Sequence, residues 1–121
     1  MTRQHHNLVA WREAISLVKT VYEVSERFPK SETYGLVNQM RRAAVSVPAN
    51  IAEGVGRIGS RDRIQFLAVA RGSLTELDTY AVLAKELGYA TDTSGLQESI
   101  DSLLGLINGL IQAERRKSTT K

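Results

Sequence analysis

A chain of 121 residues, 42% of them hydrophobic, is long enough to bury one core, and with no cysteine it has no disulfide, no thiolate metal site and no thiol nucleophile. The net charge of +3 is mild but unevenly spread: residues 41–71 hold six basic and two acidic side chains, residues 72–114 one basic and seven acidic. No stretch has the apolar length of a secretory signal or a membrane span, so the expectation is a soluble, cytoplasmic protein without membrane contact.

Apolar residues recurring at third and fourth positions predict four helices, about 8–28, 33–54, 60–87 and 94–116, and nothing reads as a strand. In the first, Leu8, Trp11, Ile15, Val18 and Tyr22 form one stripe; Ala14, Leu17, Val21, Val24 and Phe28 form its neighbour. Asn7 is the expected cap and Pro29 the stop. Ser31 or Thr33 is expected to cap the second helix, which places Met40, Ala43, Ala44, Val47, Ile51 and Gly54 on one face. A polar line of Arg42, Ser46, Asn50 and Glu53 runs beside that face. Pro48 removes an amide donor and crowds the carbonyl of Ala44, which predicts a bend there.

The third helix opens with Ser60 as expected cap and Asp62 in its first turn. Its first seam is Leu67, Ala70, Leu74, Leu77, Ala81 and Ala84, its second Phe66, Val69, Ser73, Tyr80, Leu83 and Leu87, and Gly88 supplies a left-handed end. The fourth starts at a capping box of Ser94 and Gln97 and continues through Leu96, Ile100, Leu103, Leu104, Ile107, Leu110 and Ile111, with the basic run after it expected to fray. The fold expected is all-α: one domain, 1–121, folded as an antiparallel up-down-up-down bundle whose second helix bends at Pro48. Ala43, Ala44, Gly72, Gly105 and Gly109 are expected to let helices approach closely. Surplus apolar positions on the third and fourth helices, Val69, Tyr80, Val82 and Leu106, point to self-association.

Residues 54–59, GVGRIG, match the glycine string of dinucleotide-binding turns, but a helix precedes them where such a turn needs a strand. Two readings fit the segment. Glycine backbone leading into a helix N-terminus beside Arg57, Arg61 and Arg63 suits a phosphodiester, and the same residues also describe a solvated arginine cluster near a loop. Catalysis is not expected: His5 and His6 are the only histidines and fall in an N-terminal arm, so Ser46 and Ser73 have no positioned base. No metal or cofactor is expected either, since the chain has no Glu-x-x-His and no soft ligand. Ser46, Asn50, Glu53 and Ser73 then read as a structural polar network, with Asn50 and Glu53 satisfying each other and the carbonyl freed by Pro48, and Arg71 beside them.

These segments add up to a family pattern. Trp11 and Ala14, FPKSETYGL at 28–36, QMRRAAVSVPANIAEG at 39–54, FLAVARGSLTELDTY at 66–80 and LGY at 87–89 resemble the four-helix-bundle proteins encoded in intervening sequences of bacterial 23S rRNA genes, also described as S23 ribosomal protein-like. RRAAVSVPANIAEG and ARGSLTEL are the specific stretches, and Asp78 stands where a glutamate is common. The resemblance implies a homo-oligomeric ring, typically a pentamer, without known enzymatic activity. A related branch, the accessory proteins of diversity-generating retroelements, forms basic-surfaced pentameric barrels that associate with a reverse transcriptase and nucleic acid. The family motif carries over Arg41, Arg42, Ser46, Asn50, Glu53, Gly72 and Ser73. The expectation is a non-enzymatic oligomer binding RNA through Arg57, Arg61 and Arg63, with Arg41 and Arg42 as further contacts. The alternative is a scaffold that binds a partner protein such as a reverse transcriptase.

Overall fold

The computed structural model describes residues 3–119, and no strand occurs among them. A 3-10 turn, Gln4–Asn7, leads into α1, Val9–Ser25; a second, Lys30–Glu32, precedes α2, Leu36–Gly56; α3 is Ser60–Glu86 and α4 is Ser94–Thr119. Each helix packs on its chain neighbours, and α1 closes against α4, while the backbones of the diagonal pairs stay apart. This is a four-helix bundle with one continuous core. Leu17 and Val21 of α1, Met40, Val47 and Ile51 of α2, Leu67, Leu74 and Leu77 of α3, and Ile100, Leu103, Ile107 and Ile111 of α4 are all buried in it. Removing any one large side chain there costs about 2–5 kcal/mol. No helix among the described residues is long and apolar enough to cross a membrane.

The helix ends depart from the expected caps. Leu8, not Asn7, is the cap residue of α1, with no side-chain bond. The turn before it is no loose arm: His6 stacks on Trp11 at 4.8 Å between ring centroids, and His5 meets the same indole at 5.1 Å. Neither Ser31 nor Thr33 caps α2. Glu32 does that work, its Oε1 accepting from the Leu36 amide at 3.1 Å, and its Oε2 accepts from the Tyr89 hydroxyl at 2.8 Å. These two donors hold the Glu32 carboxyl below its usual range. At the start of α4 the buried Thr93 hydroxyl bonds Gln97 at 3.0 Å, and Asp92 accepts from the Ser94 amide at 2.9 Å. Gly88 is left-handed as expected, with φ of 77°. Around it the amides of Gly88 and Tyr89 bond the carbonyls of Lys85 and Ala84 at 3.0 and 2.8 Å, the double bond of a Schellman end.

Close helix approach occurs at a glycine other than those expected. A Cβ on Gly54 would sit 3.2 Å from the Arg63 carbonyl and 3.3 Å from the Phe66 Cβ, so α2 and α3 meet here through a missing side chain. Gly72, Gly105 and Gly109 face open space instead. The apolar surplus is redistributed as well: α4 exposes no large hydrophobic residue and Leu106 and Tyr80 are half-buried, whereas α1 exposes Val9, Ile15 and Tyr22, α2 exposes Val45, and α3 exposes Val69, Val82 and Leu83, with Leu87 exposed just after it.

Candidate nucleic-acid interface

The connection from α2 to α3 is three residues, Arg57, Ile58 and Gly59, and its conformation is set by side chains reaching in from both flanks. The Arg63 Nε donates to the Arg57 carbonyl at 2.6 Å, and its Nη1 donates to Glu114 Oε1 at 3.1 Å. Ser60, expected as a cap, turns its hydroxyl to Glu114 Oε2 at 2.8 Å, while Gly59 takes the cap position. Lys117 adds a third donor to the same carboxylate at 3.3 Å. Burial alone would raise the Glu114 pKa, but the bonds from Ser60, Arg63 and Lys117 outweigh it and hold the carboxyl below its usual range.

The five expected arginines therefore divide. Arg63 is committed to the connection and to Glu114. Arg57 pairs with Glu53 at 3.1 Å, and its guanidinium carbon lies 4.6 Å from the centre of the Phe66 ring. Arg41 is held at the other end of α2 by the Ser25 hydroxyl, the Tyr22 carbonyl and Glu26, and it covers the Tyr22 ring at 4.4 Å, a packing role joining α1 to α2. Arg61 and Arg42 are exposed and make no ion pair or hydrogen bond with a described residue. Arg61 stands at the α2–α3 connection; Arg42 lies beside Arg41, more than three turns away along α2.

The fold adds basic residues that the local pattern does not connect. Residues 115–117, at the expected fraying end of the fourth helix, are regular α4, which extends to Thr119; Thr120 and Lys121 lie outside the described residues. Because α4 runs antiparallel to α3, its last turns arrive at the α2–α3 connection, and Arg115, Arg116 and Lys117 join Arg57, Arg61 and Arg63. Dividing each helix at its middle, the half made of residues 3–17, 46–73 and 107–119 holds nine basic and four acidic side chains. The opposite half, 18–45 and 74–106, holds six basic and nine acidic. The bundle is electrically polarised along its axis.

Residues 6–109 match the family described as 23S rRNA-intervening sequence protein. The chain belongs to that family. No curated protein matches it. The matched residues include Arg57, Arg61 and Arg63, but stop short of Glu114 and the basic turn that follows it.

Within the family-matched α2, Ser46, Asn50 and Ser73 come together. The Ser46 and Ser73 hydroxyls are 2.8 Å apart across the α2–α3 seam, and the Asn50 Nδ2 donates to the Ser46 carbonyl at 2.8 Å and to its hydroxyl at 2.9 Å. Glu53 is not in this network; it faces Arg57 one turn on. Arg71 is also elsewhere, donating to Asn108 of α4 at 3.0 Å. Nor does Asn50 reach the carbonyl freed by Pro48. That carbonyl belongs to Ala44, which lies on the fully buried side of α2, whereas Ser46 is one turn before Asn50 on the same flank. The helical assignment itself continues through Pro48.

Proposed function

We propose that this protein is a non-enzymatic bundle that assembles with copies of itself and binds RNA or other nucleic acid through its basic end. The segregation of charge by the fold carries this reading: nine basic side chains share one half of the molecule, drawn from α1, α3, α4, the α2–α3 connection and Arg3 before the first turn. Arg61 and Arg115 are exposed and make no ion pair or hydrogen bond with a described residue, which suits them to phosphate oxygens. Trp11 and Phe66 at this end are engaged by His5, His6 and Arg57, so the surface offers arginines more than free aromatic rings, which favours backbone contacts over sequence readout.

Anisotropy of a fluorescent RNA stem-loop titrated at rising salt tests the binding. Affinity should fall linearly on logarithmic axes, each neutralised phosphate adding about 0.7–0.9 to the slope. Binding that ignores salt, or no binding at all, would remove the proposal.

Self-assembly is supported by the apolar residues left open on three helices: Ile15 (44% exposed), Val45 (44%), Val69 (48%) and Leu83 (42%), against none of that kind on α4. A surface of this composition also fits a partner protein such as a reverse transcriptase. Sedimentation equilibrium separates the two: a ring of copies gives a multiple of the 13.4 kDa chain mass that Val45→Glu dissociates, and a monomer at all concentrations favours the partner.

A further inference from the structure

We propose that Glu114 is a positioning residue for nucleic-acid binding, an acidic group that strengthens the hold on an acidic ligand by fixing the basic residues around it. The proposal rests on reading the basic end as the nucleic-acid surface. It starts from a contradiction in sign. A carboxylate among so many arginines should repel phosphate, yet Glu114 is buried at the point where α4 meets the α2–α3 connection. Its two oxygens take hydrogen bonds from Ser60, Arg63 and Lys117, and it is the only acidic group buried among the described residues.

The bonds around it form a chain from one helix to the next. Glu114 fixes the Arg63 guanidinium, and Arg63 in turn holds the Arg57 carbonyl, so a side chain of α4 governs the backbone of a connection more than fifty residues earlier. Through Ser60 it also fixes the residue that precedes Arg61. Arg115 directly follows Glu114 and lies seven residues, two helical turns, after Asn108, the α4 residue that bonds Arg71 of α3. Arg115 is thus set on the flank of α4 that faces α3, at the height of Arg61. Arg61 and Arg115 are exposed cations at this end that make no ion pair or hydrogen bond with a described residue, and Glu114 sets the spacing between the elements that carry them.

Two physical effects then oppose each other when the carboxylate is neutralised. Coulomb attraction grows, since a negative charge is gone and Arg63 is released toward the ligand. Preorganisation is lost, since the connection and the last turns of α4 must be ordered at the moment of binding. Ordering even one residue's backbone is enough to weaken binding about tenfold. The Glu114 charge is already compensated by Arg63 and Lys117, so little repulsion is left to relieve, and the loss of order wins.

The test measures binding of the full chain to the same RNA stem-loop across a salt series, for the parent, Glu114→Gln and Ser60→Ala, with thermal melting of each. Glu114→Gln should bind about tenfold more weakly despite losing a negative charge, with a salt slope lower by about 1 as one phosphate contact is lost. Ser60→Ala, which removes one bond to Glu114 and changes no charge, should weaken binding several-fold, and it carries the test if Glu114→Gln does not fold. Equal or tighter binding by folded Glu114→Gln, or parental binding by Ser60→Ala where that variant alone folds, overturns the positioning role while leaving the nucleic-acid surface standing. Absence of salt-dependent binding by the parent overturns both.

Discussion

The two ends of the bundle are closed in different ways. Where α1 passes to α2 and α3 to α4, closure centres on an apolar ring pair: the buried Phe28 ring packs on Tyr89 at 5.6 Å, Tyr89 bonds Glu32, and Glu32 accepts from the first amide of the helix four residues on. Where α2 passes to α3, an ion cluster does the closing, centred on a carboxylate brought from the last turns of α4. The first end takes its stability from area removed from water. The second depends on charge pairing, which allows a three-residue connection to stay open to solvent with cationic groups arrayed around it. Exposed chemistry thus gathers at the end that electrostatics closes.

Substitutions at each end sharpen this contrast. Phe28→Ala should have the largest effect on folding, a loss of about 3–5 kcal/mol in urea unfolding, with RNA affinity unchanged because the ring lies at the far end. Glu114→Gln should cost about 1–3 kcal/mol at neutral pH by leaving donors without their carboxylate. That cost is pH-dependent. A carboxyl held below its usual pKa stabilises the fold above the ordinary carboxylate value and loses that contribution as pH falls through its folded value, so the parent and Glu114→Gln should converge in acid. Because Glu32 is lowered in the same direction, Glu32→Gln should remove a separate part of the acid loss, and melting curves across pH distinguish the ends.

Smaller effects test the network on α2. Asn50→Ala should cost about 1 kcal/mol, since its amide bonds both the carbonyl and the hydroxyl of Ser46. Glu53→Ala should stay within about 0.5 kcal/mol, its only partner being an exposed arginine one turn away. Equal losses for both would restore Glu53 to the network.

Periodicity made the helices legible. The spacing of Leu67, Ala70, Leu74, Leu77, Ala81 and Ala84 places α3 and its buried seam directly, and all six are buried. The caps are not legible locally: Ser60 suits a cap by residue type, but in the fold Gly59 holds that position and the Ser60 hydroxyl donates to a buried carboxylate 54 residues away. Arg63 and Arg41 looked alike to composition, and only the folded neighbours Glu114, Ser25 and Glu26 reveal that both are committed. The sequence ends the fourth helix near 116 with a fraying basic end, because nothing in that neighbourhood explains why it should be ordered; Lys117 reaching back to Glu114, and Glu114 reaching across to Ser60 and Arg63, supply the reason.

The central claim is that nucleic acid is held at one end of the bundle, and matched charge reversals test it most directly. Arg61→Glu with Arg115→Glu changes the basic end by the same amount that Lys30→Glu with Lys85→Glu changes the acidic end, and all four side chains are exposed. Affinity for an RNA stem-loop at one fixed salt concentration should fall at least about tenfold in the first pair and stay within about twofold in the second. Equal losses in the two pairs, or a larger loss in the second, would contradict a binding surface located at the α2–α3 connection.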